Sequence, residues 1–188
     1  RQNDMKPIVI DNLFSEDELF YLYKLVTCTS NWAITGMTDN VSYVSPKTFN
    51  PSPQFIIKDS SGQAVDYTMF VYFQSIIFRL KKILQEKNIG LNPIVKRAWI
   101  NATYNGSKNH ELHKDADSSS LQTVLFFLTP VWKTAWKGSF YVDGEEYKMM
   151  PGRVIVFDSK EFHTGEEPES ETFNWLRLTA NILLSNEE

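Results

Sequence analysis

Apolar residues change their spacing about halfway along this chain, and the change separates a helical part from a sheet part. After a short apolar run at Pro7 to Ile10, read as a strand, Leu19, Leu22, Tyr23 and Val26 recur at helical spacing. They follow Ser15-Glu16-Asp17-Glu18, which has the form of a capping box. A second helix is predicted from about Tyr67 to Lys87, where Phe70, Phe73, Ile76, Ile77, Leu80 and Leu84 share one face and Asn88 to Gly90 ends it. Between the two, Thr35 to Gly62 is polar and carries Pro46, Pro51 and Pro53, so it reads as a long loop with at most short strands. From Ile94 on, short runs rich in β-branched and aromatic residues predict strands at Ile94 to Tyr104, Leu121 to Leu128, Ser139 to Val142, Glu146 to Met149, Arg153 to Asp158 and Trp175 to Leu184. Asp143-Gly144 is a two-residue hairpin signal, and Pro151-Gly152 introduces the strand that follows it. The pattern predicts one α+β, mainly β domain over 1–188. In it, 1–93 forms a helical support and loop region, and the sheet of 94–184 rolls into a sandwich or barrel with helices on one outer face.

Composition narrows the function classes. A formal charge of -4 and pI near 5.5 give no general basic surface for phosphate backbones, which favours small or peptide substrates over nucleic acid. One cysteine, Cys28, excludes an internal disulfide and is read as a buried helix residue. No apolar run approaches the roughly 20 residues of a membrane span, so a soluble, cytoplasmic protein without membrane contact is expected.

The candidate chemistry lies in His113-Lys114-Asp115, answered about fifty residues later by His163 and then by Arg177. Two imidazoles and one carboxylate with open positions form the ligand set that oxygen-activating non-haem Fe(II) uses, although His and carboxylate accept several metals. If His113 and Asp115 lie on an extended strand, both point to one side and Lys114 faces away. The same parity puts Arg177, Thr179 and Asn181 on one face of the last strand, with Leu176, Leu178, Ala180 and Ile182 on the other. A guanidinium inside so apolar a strand needs a partner, because burying it unpaired costs several kcal/mol; a bound dicarboxylate is a natural one.

Taken together, Trp99-Ile-Asn-Ala-Thr-Tyr-Asn-Gly106, His113-Lys-Asp115, Gly138-Ser-Phe140, Pro151-Gly-Arg-Val-Ile-Val-Phe157, His163 and Arg177-Leu-Thr179 resemble the Fe(II)- and 2-oxoglutarate-dependent dioxygenases, in the prolyl-4-hydroxylase-like branch with its phage and bacterial members. The resemblance covers nearly half the chain. It implies a double-stranded β-helix, or jelly roll, with Fe(II) held by His113, Asp115 and His163. It implies that 2-oxoglutarate is anchored by Arg177 with help from Thr179 and Tyr104. Asn101 and Thr123 join that pocket by strand position and hydrogen-bonding capacity. O2 would be the oxidant and ascorbate an accessory reductant, with release of succinate and CO2 and hydroxylation of a peptidyl proline or an amino-acid-like substrate.

Two rival functions follow from the same residues. Asp117 extends the motif to His-x-Asp-x-Asp, which resembles some nucleobase demethylases, and Lys133 and Lys137 beside Trp132 and Trp136 could steer a base. A non-catalytic barrel that only binds a metal or ligand is the third reading. His110 is read as a rim residue, the 129–138 segment as either packing or a substrate wall, and Trp32, Met37, Tyr43 and Phe49 as lid contacts.

Overall fold

The computed structural model describes residues 6–28, 32–35, 52–105, 111–117, 120–169 and 176–185. Its elements run β1 (Ile8–Ile10), α1 (Glu16–Thr27), β2 (Trp32–Thr35), β3 (Ser52–Lys58), α2 (Tyr67–Glu86), β4 (Val95–Thr103), β5 (Leu121–Phe127), a 3-10 turn at Thr134–Trp136, β6 (Phe140–Val142), β7 (Glu145–Tyr147), β8 (Val154–Asp158), β9 (His163–Gly165) and β10 (Arg177–Ser185). Two antiparallel sheets result. The larger has the order β1-β8-β5-β10-β4-β3-β2, and the smaller the order β7-β6-β9.

Local chemistry accounts for the element ends. Ser15 accepts from the Glu18 amide at 3.2 Å while Glu18 accepts from the Ser15 amide at 2.8 Å, the reciprocal box that the sequence predicts for α1. Asp66 caps α2 through the Met69 amide at 2.9 Å. Asp143 and Gly144 both have positive φ, 47° and 79°, as a tight hairpin between β6 and β7 requires.

The large sheet is apolar on both faces, and each face has its own core. On the outer face, Val124, Phe126, Leu178, Ala180, Ile182 and Ile100 meet Leu22 and Val26 of α1 and Phe73, Ile77 and Leu80 of α2. Phe126 is fully buried there, edge-on to Phe14 at 5.9 Å and to Phe73 at 6.0 Å. On the inner face, Leu125, Phe127, Ile155 and Phe157 pack against Phe140, Val142 and Met149 beneath the small sheet. Alternate residues of β10 therefore serve different layers: Leu178 and Ala180 belong to the helix side, whereas Arg177, Thr179 and Asn181 point between the sheets.

Several expectations change. The segment read as loop holds β3, seven residues long and paired with β4, because a proline near the start of a strand removes only one ladder donor. His163 opens a strand, β9, that the sequence reading left as connection. His113 and Asp115 lie in irregular chain, not on an extended strand, and His113 makes an isolated bridge to His163. Cys28 is exposed at the C-cap of α1, where the chain leaves the core. Trp32 packs on Phe55 at 6.0 Å and donates its Nε1 to the Val26 carbonyl at 2.9 Å, so it is a support for α1 and β3 rather than a lid. Met37, Tyr43, Phe49 and His110 lie outside the described residues. No described helix is long and apolar enough to cross a membrane.

Candidate active site

Three groups from distant parts of the chain meet at one end of the space between the sheets. Ligand atoms of His113, Asp115 and His163 all lie within 4.8 Å of one another, a spacing that one cation can bridge. Backbone pairing creates the cluster. The His113 amide donates to the His163 carbonyl at 3.1 Å and the His163 amide returns a bond of 2.9 Å, while the Asp115 and Ala116 amides both donate to the Ser159 carbonyl at 3.1 Å. The loop bearing His113 and Asp115 is thereby fixed to the turn that joins β8 to β9.

Tautomers follow from the partners. His113 Nδ1 lies 2.7 Å from the Glu111 carbonyl and His163 Nδ1 lies 3.0 Å from the Glu161 carbonyl. A carbonyl only accepts, so each Nδ1 carries its hydrogen and each neutral ring turns an Nε2 lone pair inward. Those atoms stand 3.9 Å and 3.6 Å from the two carboxylate oxygens of Asp115. Thr123 donates to Asp115 Oδ2 at 2.8 Å and meets Ser159 Oγ at 2.9 Å, so its hydroxyl orients the carboxylate. Burial opposes the charge on Asp115, yet His163, Thr123 and His113 together hold its carboxyl below the usual range. Burial likewise opposes a charged His163, and Asp115 outweighs it and raises the ring. The donor set is anionic and preformed. His163 and Asp115 side chains are 4% and 6% exposed and His113 48%, so the cluster is open on the His113 side.

Arg177 occupies the other end of β10. It is 3% exposed, its guanidinium carbon sits 5.4 Å from the Phe127 ring centre, and its contacts are long: Thr103 Oγ1 at 3.4 Å and the Ser139 carbonyl at 3.5 Å. Its Nε is buried with no partner among the described residues. Burial drops its pKa to about 10, with Glu166 opposing. A native guanidinium left this short of acceptors has the donors that a carboxylate would take up. The strand around it is anchored: Thr129 Oγ1 donates to the Leu176 carbonyl at 2.8 Å and accepts from the Leu178 amide at 2.9 Å, and the Leu176 amide donates to the Tyr23 hydroxyl at 2.8 Å.

The remaining expected residues separate. Thr179 is buried beside Arg177 in register with Asn101 and Phe127. Asn101 accepts from Gln54 at 2.8 Å on the same inner face. Tyr104 lies one residue beyond β4 with 40% of its surface exposed. Asp117 is exposed and outside the three-residue cluster. Within 129–138, Trp136 is buried edge-on to Trp132 at 5.5 Å, which makes the segment a packed wall behind Arg177.

The sequence reading gives no site role to Thr103, Gly138 and Ser139, which lie in the motifs it quotes, or to Asn181, which it puts on the Arg177 face. Register would have supplied Thr103, which pairs directly with Arg177. Asn181 Nδ2 is buried without a partner among the described residues and shares the inner face, between the level of Arg177 and that of Thr123. It is a second donor facing the same space.

No protein-family model and no curated protein matches this chain. Solved structures do. An oxidoreductase of the 2OG-Fe(II) oxygenase family from Burkholderia pseudomallei is 16% identical over 97% of this chain and 86% of its own, with a TM-score of 0.71. A Pseudomonas putida prolyl-4-hydroxylase is 14% identical over 95% and 92%, with a TM-score of 0.64. A prolyl hydroxylase from Trichoplax adhaerens, solved with a hypoxia inducible factor oxygen degradation domain peptide fragment, is 15% identical over 96% and 84%, with a TM-score of 0.63. This chain has the double-stranded β-helix fold of the prolyl-4-hydroxylases and other 2OG-Fe(II) oxygenases.

Proposed function

We propose that this protein is an Fe(II)- and 2-oxoglutarate-dependent dioxygenase that hydroxylates a C–H bond of a peptidyl proline or an amino-acid-like molecule. The observation that carries the reading is the pairing of two incomplete sites in one space between the sheets. One is a His-Asp-His donor set with both Nε2 atoms turned toward the Asp115 carboxylate, and the other a buried Arg177 short of acceptors among the described residues. Bound there, Fe(II) and 2-oxoglutarate would supply oxygen activation coupled to decarboxylation of the keto acid to succinate and CO2.

The chain's own part is to position and to exclude water. His113, Asp115 and His163 would hold the cation on one side and leave its other side open. Thr123 and the Glu111 and Glu161 carbonyls fix the orientation of those three ligands. Arg177 would clamp the distal carboxylate of the keto acid, with the Thr179 hydroxyl on the same strand face as a further donor. Phe140 and Phe157 stand 5.5 Å and 5.1 Å from the His163 ring and keep that side of the cluster dry. The peptide arm of the substrate reading is supported by the peptide bound to the Trichoplax adhaerens protein. Ascorbate enters only as a reductant to include in assays.

The experiment is an anaerobic titration with Fe(II) and 2-oxoglutarate, followed by oxygen and a succinate assay. The expected result is a metal-to-ligand absorption band, then succinate, with His113→Ala abolishing succinate formation. No band and no succinate from the parent would reject the reading, and salt-sensitive oligonucleotide oxidation would replace the substrate class.

A further inference from the structure

The inner faces of β4, β5 and β10 carry two cationic side chains, Arg177 and Arg97, and the keto acid of the proposed reaction accounts for one of them. Residues 97, 99, 101 and 103 of β4 share a face, and Thr103 on it touches Arg177. Lys96 falls in the bulge between Leu183 and Leu184 registers and is exposed. Arg97 is partly buried and stacks on buried Trp99, with its guanidinium carbon 4.6 Å from the ring. Among the described residues, its guanidinium has no hydrogen bond and no carboxylate partner beside that stacking. Leu183 pairs with Arg97 on one side and with Thr123 on the other, so Arg97 lies about 10 Å, two strand spacings, from the residue that holds Asp115. It stands at the level of the candidate metal, as Arg177 stands at the far end.

We propose that Arg97, held flat by Trp99, binds a carboxylate of the substrate and so makes this a hydroxylase of acidic or carboxylate-bearing molecules. The inference rests on the dioxygenase reading and names the substrate class of the same site. Stacking occupies one face of the guanidinium and leaves its N–H edge free in the plane, which matches the two coplanar oxygens of a carboxylate. Farther across the same sheet, the inner-face residues Leu125, Phe127, Ile155 and Phe157 of β5 and β8 are apolar and covered by the small sheet. A carboxylate held at Arg97 therefore sits on the β4 side of the mouth, and this limits which of the molecule's carbons faces the cation. The Gln54 amide, bonded to Asn101, continues the polar wall beside Trp99.

The carboxylate could be the α-carboxylate of a free amino acid or an acidic side chain in a peptide, and two probe pairs separate them. The first is L-proline against L-prolinamide; the second is N-acetylated, C-amidated Glu-Pro-Gly against Gln-Pro-Gly. Binding is measured by calorimetry to parent, Arg97→Gln and Arg97→Lys, with Mn(II) and 2-oxoglutarate added and again without them. In one pair the acid is expected to bind the parent about tenfold tighter than its amide, the loss typical of one charge-assisted pair. Arg97→Gln is expected to erase that preference while the amide's affinity stays, and Arg97→Lys to keep part of it. Equal affinity for acid and amide in both pairs, no saturable binding of either acid, or a preference that survives Arg97→Gln would overturn the proposal. Failure of 2-oxoglutarate itself to bind in the same titrations would instead count against the dioxygenase reading.

Discussion

Arg177 is a charge placed where the fold gains nothing from it until an anion arrives. Replacing a buried, poorly paired cation by a hydrocarbon of similar length is often neutral or stabilising. Arg177→Met is accordingly expected to keep or raise the melting temperature of the cosubstrate-free protein. The same change should weaken 2-oxoglutarate binding about 100-fold, the loss of two charge-assisted hydrogen bonds. Calorimetry beside thermal melts checks both signs at once, and a lowered melting temperature with unchanged binding would refute the assignment. At this scale much was legible in the sequence. Alternation along the last strand places Arg177, Thr179 and Asn181 together, and they face inward as alternation requires. The role of Thr123 was not legible, because its partner Asp115 comes from irregular chain eight residues away and only the folded loop brings the hydroxyl to it.

Elements hold these side chains in place through their ends. Gly138 has φ of 80° at the entrance to β6, and a Cβ there would stand 3.0 Å from Arg177 Cδ and 3.1 Å from the Trp132 ring. Both the backbone conformation and the space demand glycine. Gly138→Ala is expected to cost about 1–3 kcal/mol in stability and to weaken 2-oxoglutarate binding by displacing Arg177. Urea melts and a cosubstrate titration would check it, and unchanged values for both would remove Gly138 from the support of Arg177. Strand and helix identities were readable where the apolar period was long, as in α2, or where turn chemistry was explicit, as at Asp143-Gly144. They were not readable for β3, whose proline masks a strand that tertiary pairing with β4 imposes, nor for β9, three residues long with His163 at its head.

For the whole molecule, the first strand closes the large sheet and is tied to it by charge as well as by pairing. Arg153 Nε lies 2.7 Å from Asp11 Oδ1, and its Nη2 lies 3.1 Å from Oδ2, which joins the end of β1 to the start of β8. The Arg153 hydrogen bond holds the Asp11 carboxyl below its ordinary value of 3.8, with burial opposing. A carboxyl depressed in the folded state contributes stability above its unfolded value and loses it as pH falls through the folded one. Asp11→Asn is therefore expected to be destabilised by about 0.5–1 kcal/mol at pH 7, a small figure because the pair is partly exposed. The deficit against the parent should shrink as pH drops below 3.8, read from melting temperatures across pH; a constant deficit would exclude the pair as its source. The two-layer architecture was foreseeable from the switch in apolar spacing, while strand order and the N-terminal strands depend on long-range pairing that no local pattern encodes.

The double rung between His113 and His163 governs how the cation would come and go. Each residue offers an imidazole to the ion and its peptide group to the other, so breaking one pair of backbone bonds parts both nitrogens together while the sheets stay intact. Chelators would then strip the ion through local opening rather than global melting. In deuterium, the His113 and His163 amides should exchange as a pair, ahead of those of Val156 and Phe127, and a tightly held divalent ion should slow that pair alone.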